Sequence, residues 1–299
     1  MNTFNRNVSK ITTAMLLAFT LAACGGGGGG SNHSPKTEST PTVAPATVNN
    51  EKILAEAKAN KTYAVLSLRN DVHKDLLSEY GQDGYRKLDS YSVNLNGKSY
   101  SSGNIDLSKL GQGVQRIGVT ETATATVGGA KATAIRNNML HIYQQPYSIV
   151  AGVEVKGGVV SAPGFRGVLD ADDVDFNTVK GYATQTLPAS GKFNYVGDAL
   201  SQEQTGRLNY TVDFAAKTGS GSISNIAGGI TLNEGRIGAM SHINPDNTSI
   251  SGHGISSTAR SNSGLSGTYK LGFFGPNADE VAGVVTSDRG DVAFGGKKQ

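Results

Sequence analysis

"GLSGTYKLGFFGPNADEVAGVVTS", residues 264–287, reads as two strands about one turn. Pro276 and Asn277 suit the turn, because proline pre-sets its first central residue and asparagine tolerates the second, while Gly275 eases the chain into it. The same pattern spreads outward on both sides. "GKFNYVGDAL" (191–200), "GRLNYTVDFAAK" (206–217), "GSGSISNI" (219–226), "GGITLNEGRIG" (228–238) and "TSISGHGI" (248–255) precede it, and "DVAFGG" (291–296) closes the chain. With 264–275 and 279–287 these make eight strand candidates, each bounded by glycine, asparagine, aspartate or serine. Eight short antiparallel strands suit a small closed barrel, which leaves no sheet edge exposed and is filled by its own side chains. The expectation is a scaffold, not a channel.

Composition agrees: 40 glycines and no tryptophan accompany many short segments, as expected of a mainly β protein with tight turns. The N-terminal end is different. In "MNTFNRNVSKITTAMLLAFTLAAC", Arg6 and Lys10 make a positive segment and 11–23 an apolar one, too short to span a membrane and typical of an export signal. "LAAC" resembles a bacterial lipobox, which makes Cys24 the expected lipidation site. Cys24 is the only cysteine, so no internal disulfide exists and acylation accounts for the thiol. Residues 24–50, rich in glycine, serine, threonine and proline, read as a disordered tether. Basic residues number 27 against 24 acidic ones, and loss of Arg6 and Lys10 with the signal leaves a net charge of about +1. There is no long basic run, which argues against nucleic acid as partner.

Residues 51–188 are less regular. "NEKILAEAKAN" and "RNDVHKDLLSEYGQ" suit short helices, the second capped by Asn70 or Asp71 and ended by Gly81. "YSVNLNGKSYSSGNIDL", "GVQRIGVTETATATV", "NMLHIYQQPYSIVAGVEV" and "VDFNTVKGYATQTL" suit strands, giving a mixed α+β domain. The expected order is thus signal (1–23), tether (24–50), α+β domain (51–188) and eight-stranded antiparallel barrel (189–299).

"YTVDFAAKTGSGSI", "SGTYKLGFFGPNADEVAGVV" and the terminal "VAFGGKKQ" resemble the C-terminal barrel of transferrin-binding protein B and its relatives, with Glu280 and Gly283 at familiar spacing after the Phe-Phe-Gly-Pro-Asn stretch. The resemblance covers roughly 189–299. "IYQQPYSIVAG" is similar to a strand of the "handle" domain that binds cargo in those proteins. The resemblance implies a lipid-anchored surface protein of a Gram-negative outer membrane, exported by a Slam-type translocator, anchored or shed. This chain has one handle-and-barrel lobe where transferrin-binding protein B has two. Single-lobe relatives include the haem-binding hemophilins, haemoglobin-binding lipoproteins and factor H-binding proteins.

Enzymatic patterns are absent: no nucleophilic cysteine, no HExxH, no GxSxG, no Rossmann or P-loop glycine pattern. "DADDVD" (170–175) lacks the glycine and distal glutamate of a calcium loop and reads as a solvated acidic loop. His242 reads as a turn residue and His253 as a barrel-strand residue. His73 lies on the apolar stripe of its helix with Leu76, Leu77 and Tyr80. His141 alternates onto one strand face with Met139 and Tyr143. Each histidine can be ordinary packing. If the resemblance extends to haem, His73 and His141 are the expected iron ligands, with no other metal. Leu77, Tyr80, Met139, Tyr143 and Tyr147 would then line the slot, and Arg69, Arg86 and Arg136 would meet the propionates. The leading expectation is a haem carrier (hemophore) delivering its cargo to a TonB-dependent outer-membrane receptor. The alternative is a receptor for a host protein: haemoglobin, transferrin or a complement regulator such as factor H.

Overall fold

The computed structural model describes residues 65–68, 89–107, 110–127 and 129–299, all within one compact unit, Val48–Gln299. The N-terminal strands are β1 (Val65–Ser67), β2 (Ser90–Leu95), β3 (Lys98–Tyr100), β4 (Asn104–Asp106), β5 (Gly113–Val127), β6 (Ala130–Gln144), β7 (Ser148–Ala162), β8 (Phe165–Leu169) and β9 (Asp172–Gly181). β1 and β4 form a two-stranded sheet. The larger sheet runs β3-β2-β5-β6-β7-β8, and β9 pairs with the other half of β7. β6 and β7 are joined by a two-residue turn at Pro146–Tyr147, with Gln144 opposite Ile149 and the Gln145 amide donating to the Ser148 carbonyl at 2.8 Å.

One face of this sheet, with Val93, Val119, Leu140, Ile142, Ile149 and Ala151, is buried against Leu66, Ile105 and Leu107 around the small sheet. The opposite face near the β6–β7 turn, with Tyr143 and Val150, packs with Val174, Phe176 and Val179 against Leu200, Phe274, Ala282 and Ala293 of the C-terminal domain. Both faces are therefore covered, and residues 140–145 are all buried. Burial on two sides explains why this stretch is so apolar for an antiparallel strand.

The C-terminal strands are β10 (Lys192–Leu200), β11 (Thr205–Asp213), β12 (Thr218–Ser224), β13 (Ile230–Ile243), β14 (Ser249–Ser261), β15 (Ser266–Phe274), β16 (Glu280–Ser287) and β17 (Val292–Lys298). They close in sequence order into an antiparallel barrel, as expected. Its interior is filled by Leu208, Val212, Ile223, Leu232, Leu271, Phe273, Val281 and Phe294, with three buried tyrosines among them. Each of these three hydroxyls is satisfied. Tyr195 donates to the Ala278 carbonyl at 2.7 Å, Tyr269 to the Asn233 carbonyl at 2.7 Å, and Tyr210 lies 2.8 Å from the Tyr269 hydroxyl. The expected turn at Pro276–Asn277 is present: Gly275 has φ +84, and the Asn277 amide donates to Asp279 Oδ2 at 3.1 Å.

Three expectations are corrected or fall elsewhere. β13 and β14 run past the barrel: residues 239–243 and 249–253 pair only with each other, because the pairing of β12 with β13 reaches no farther than Arg236 and that of β15 with β14 no farther than Gly254. His242 is therefore a strand residue paired with Ile250, not a turn residue, and its Nε2 lies 2.9 Å from the Asn177 carbonyl. The 170–175 stretch is not all loop either. Asp172 begins β9, and Asp172, Asp173 and Asp175 are exposed along it. The two expected helices, with His73, lie outside the described residues.

Candidate binding surface

The β13–β14 overhang grips β9. Asn244 Oδ1 accepts the Val179 amide at 2.9 Å, and Lys180 Nζ reaches Asp246 Oδ2 at 2.6 Å. Burial works to raise the Asp246 pKa, but the hydrogen bonds from Lys180 and Thr248 outweigh it and hold the carboxyl down at about 2. At the opposite end, the Arg116 guanidinium of β5 donates to the Ser201 and Gln204 carbonyls at 3.0 and 2.9 Å and to Thr205 Oγ1 at 3.1 Å, clamping the β10–β11 turn. Between them the β6–β7 turn seats on β16. Glu280 accepts the Tyr147 amide at 3.1 Å and Ser148 Oγ at 2.8 Å, and Gln145 Nε2 donates to the Val281 carbonyl at 3.1 Å. Small residues on the barrel wall make this approach possible. A Cβ at Gly295 would stand 2.6 Å from Gln145 Nε2 and 2.7 Å from Tyr143 Cε1.

His141 lies inside this seam. It is 1% exposed, and its Nε2 is 2.8 Å from Glu154 Oε2. Phe176 stands edge-on at 6.1 Å between ring centroids. Burial lowers the His141 pKa, more than Glu154 raises it, and the charges of Arg116 and Lys156 push the same way as burial. For Glu154, burial works upward but the bonds from Lys156 and His141 prevail and lower its pKa. The pair is thus a neutral imidazole donating Nε2–H to a carboxylate, which also accepts Gln202 Nε2 at 2.8 Å from the barrel side. Nδ1 is left as a buried acceptor without a donor among the described residues. Nε2 is thus engaged by Glu154, and Nδ1, though unpartnered, is buried.

The other expected site residues are placed as follows. Tyr143 is buried 3.4 Å from the Asp198 amide, and burial pushes its phenol up to about 12. Tyr147 is half-buried beside Glu280, and Met139 is half-buried opposite Glu154. Arg136 is not a free cation for a propionate. Its Nε donates to the fully buried Glu121 at 2.7 Å, and Glu121 also accepts Tyr91 Oη and Asn138 Nδ2, each at 2.6 Å. Cys24, Arg69, His73, Leu77, Tyr80 and Arg86 lie outside the described residues.

Glu154 escaped the sequence reading, although a signal existed. The Pro146–Tyr147 turn sets Gly152 opposite His141 and Glu154 opposite Met139, on one face. Arg116 and Gln202, 86 residues apart in the chain, carried no such signal.

The face that bears His141 emerges from under the barrel farther along the sheet. A row of cross-strand neighbours, Ser92, Thr122, Ile135, Val159 and Val168, crosses five strands. The next row is Ser90, Thr124, Thr133, Ser161 and Arg166. Ile135 is 36% and Val168 74% exposed; among the described residues only Ile243, on the overhang, is another large exposed hydrophobic. The row ends at β8, which pairs only with β7, and it places Ile135, Val159 and Val168 side by side within a hydroxyl-rich face.

Residues 185–285, which hold β10 to β15 and most of β16, match the family model described as factor H binding protein, C-terminal. Solved structures similar to this chain include the intact Ap-TbpB with its N and C lobes, at 18% identity, TM-score 0.36, covering 72% of this chain and 46% of that one. Two mutants of the vaccine antigen transferrin binding protein B from Haemophilus parasuis Hp5 are also similar. The double mutant has 19% identity, TM-score 0.37 and coverage of 72% and 45%; the single mutant has 18%, 0.39, and 72% and 46%. The matched region spans less than half the length of these proteins.

Proposed function

We propose that this chain is a surface-displayed lipoprotein, anchored through Cys24, that binds a host protein without turnover. The observation that carries the reading is the match of the barrel, residues 185–285, to the C-terminal domain of a factor H binding protein. The open row of Ile135, Val159 and Val168 supports it by offering an apolar contact surface beyond the seam. The closed, hydrogen-bonded setting of His141 favours this reading over haem capture. In it, His141 serves the junction between handle and barrel, and cargo is met by the surface.

The test uses the chain from Cys24 onward. Purified factor H, transferrin and haemoglobin are passed over it in a surface-plasmon assay, with hemin titrated separately and followed by its Soret band. The expected result is saturable binding of one host protein, weakened at least tenfold by Val168→Glu with unchanged thermal stability, since a charge at an apolar contact centre costs about 2 kcal/mol or more. Low-spin hemin binding that His141→Ala abolishes, with none of the three proteins bound, would overturn the proposal in favour of a haem carrier.

A further inference from the structure

Glu280 is a carboxylate without a counter-ion at the centre of the seam. It is 1% exposed, and no cation stands within ion-pair distance of it among the described residues. The charged and titratable groups around it come from each element packed there. Lys297, its cross-strand neighbour on β17, sends its ammonium to Gln112 Oε1 at 3.1 Å. Asp279, the adjoining residue, is 3.7 Å from Lys298 Nζ. Tyr147 and Tyr143 face it from the β6–β7 hairpin, and Phe274 pairs with it from β15. Its polar contacts all reach across to the handle: the Tyr147 amide at 3.1 Å and Ser148 Oγ at 2.8 Å.

A buried carboxylate in such a place is satisfied as an acid. Protonated on Oε2, it can donate to Ser148 Oγ across the 2.8 Å contact, while its carbonyl oxygen Oε1 accepts the Tyr147 amide at 3.3 Å. Ionised, it keeps two donors but places a full charge, with no cation in ion-pair distance among the described residues, beside Tyr143, Phe274 and Ala282. We propose that Glu280 is a proton-operated latch: neutral, it seats the β6–β7 turn on the barrel, and ionised, it lets the handle part from the barrel wall. The latch is independent of which partner the surface takes.

Burial raises the Glu280 pKa to about 7, more than the Ser148 and Tyr147 bonds and Lys297 lower it, while Asp279 adds to the rise. A raised carboxyl pKa stabilises the closed seam at low pH, and that contribution is lost as pH rises through neutrality. The opening equilibrium at Tyr147 should therefore grow about tenfold between pH 6 and pH 8. His141 and Glu154, whose pKa values are lowered, act in the opposite sense and favour opening on acidification.

The experiment is amide hydrogen exchange of Tyr147 at pH 6, 7 and 8 on the chain from Cys24, corrected for intrinsic rates, beside Glu280→Gln. Glutamine mimics the neutral acid, so its opening equilibrium should show no rise with pH, keeping only the opposite dependence from His141 and Glu154, while Glu280 in the parent contributes a rise of about tenfold. Ser148→Ala, which leaves the carboxyl in place, should keep the rise. A parent with no pH dependence, or a glutamine variant that follows the parent, overturns the latch.

Discussion

Gly295→Ala tests whether the seam is close-packed. Gly295 has no left-handed backbone requirement, so replacing glycine with alanine in the strand should by itself stabilise by about 0.4–1 kcal/mol through the unfolded chain. The new methyl, however, lands 2.6 Å from Gln145 Nε2 and 2.7 Å from Tyr143 Cε1. Neither group can swing away. Gln145 Nε2 is held by the Val281 carbonyl and Ser148 Oγ, and the Tyr143 ring is buried. Overpacking of this kind costs about 1–3 kcal/mol. The net expectation is a loss of about 1–2 kcal/mol, which for a domain pair of this size lowers Tm by roughly 2–8 °C. Gly238→Ala is the control: it too lies in a β-strand, β13 where it extends past the barrel, and a Cβ there meets nothing within 4 Å. Thermal unfolding by circular dichroism of the two variants and the parent decides the matter. If Gly295→Ala is as stable as Gly238→Ala, the handle does not rest on the barrel wall as described.

Two further substitutions probe the other contacts. Arg116→Ala removes all three bonds to the β10–β11 turn; because the site is exposed the loss should be of order 1 kcal/mol, read from the urea midpoint, with faster exchange at Gln204. The Lys180–Asp246 clamp should fail in acid. The Asp246 carboxyl is held at about 2, below its ordinary value, so its contribution is present above the ordinary carboxylate range and lost as pH falls from about 4 towards 2. Exchange of the Val179 amide should accelerate over that range in the parent but not in Asp246→Asn.

The barrel was legible because its strands are bounded by turn residues that act locally. Gly275, Pro276 and Asn277 specify their turn whatever surrounds them, and eight such strands in series have one economical closure. Strand length was less legible. β13 and β14 run past the barrel because their extensions pair with each other and meet β9, a partner more than 50 residues upstream. The His141 face was half legible. Alternation put Met139, His141 and Tyr143 together, and the structure keeps them so, but alternation does not say what covers a face. A histidine and an arginine on a strand look alike whether they await a ligand or a buried carboxylate. Here Glu154 meets His141 and Glu121 meets Arg136.

By itself, then, the sequence determined the elements whose causes are local: the turns, the period-two strands and the antiparallel barrel. Only the tertiary structure decided the use of "IYQQPYSIVAG" (142–152). Its turn is seated by Glu280, and its face is closed by Gly295, Ala282 and Phe274. Docking of this kind depends on two surfaces far apart in the chain being shaped to one another. No local spacing of residues encodes such a fit.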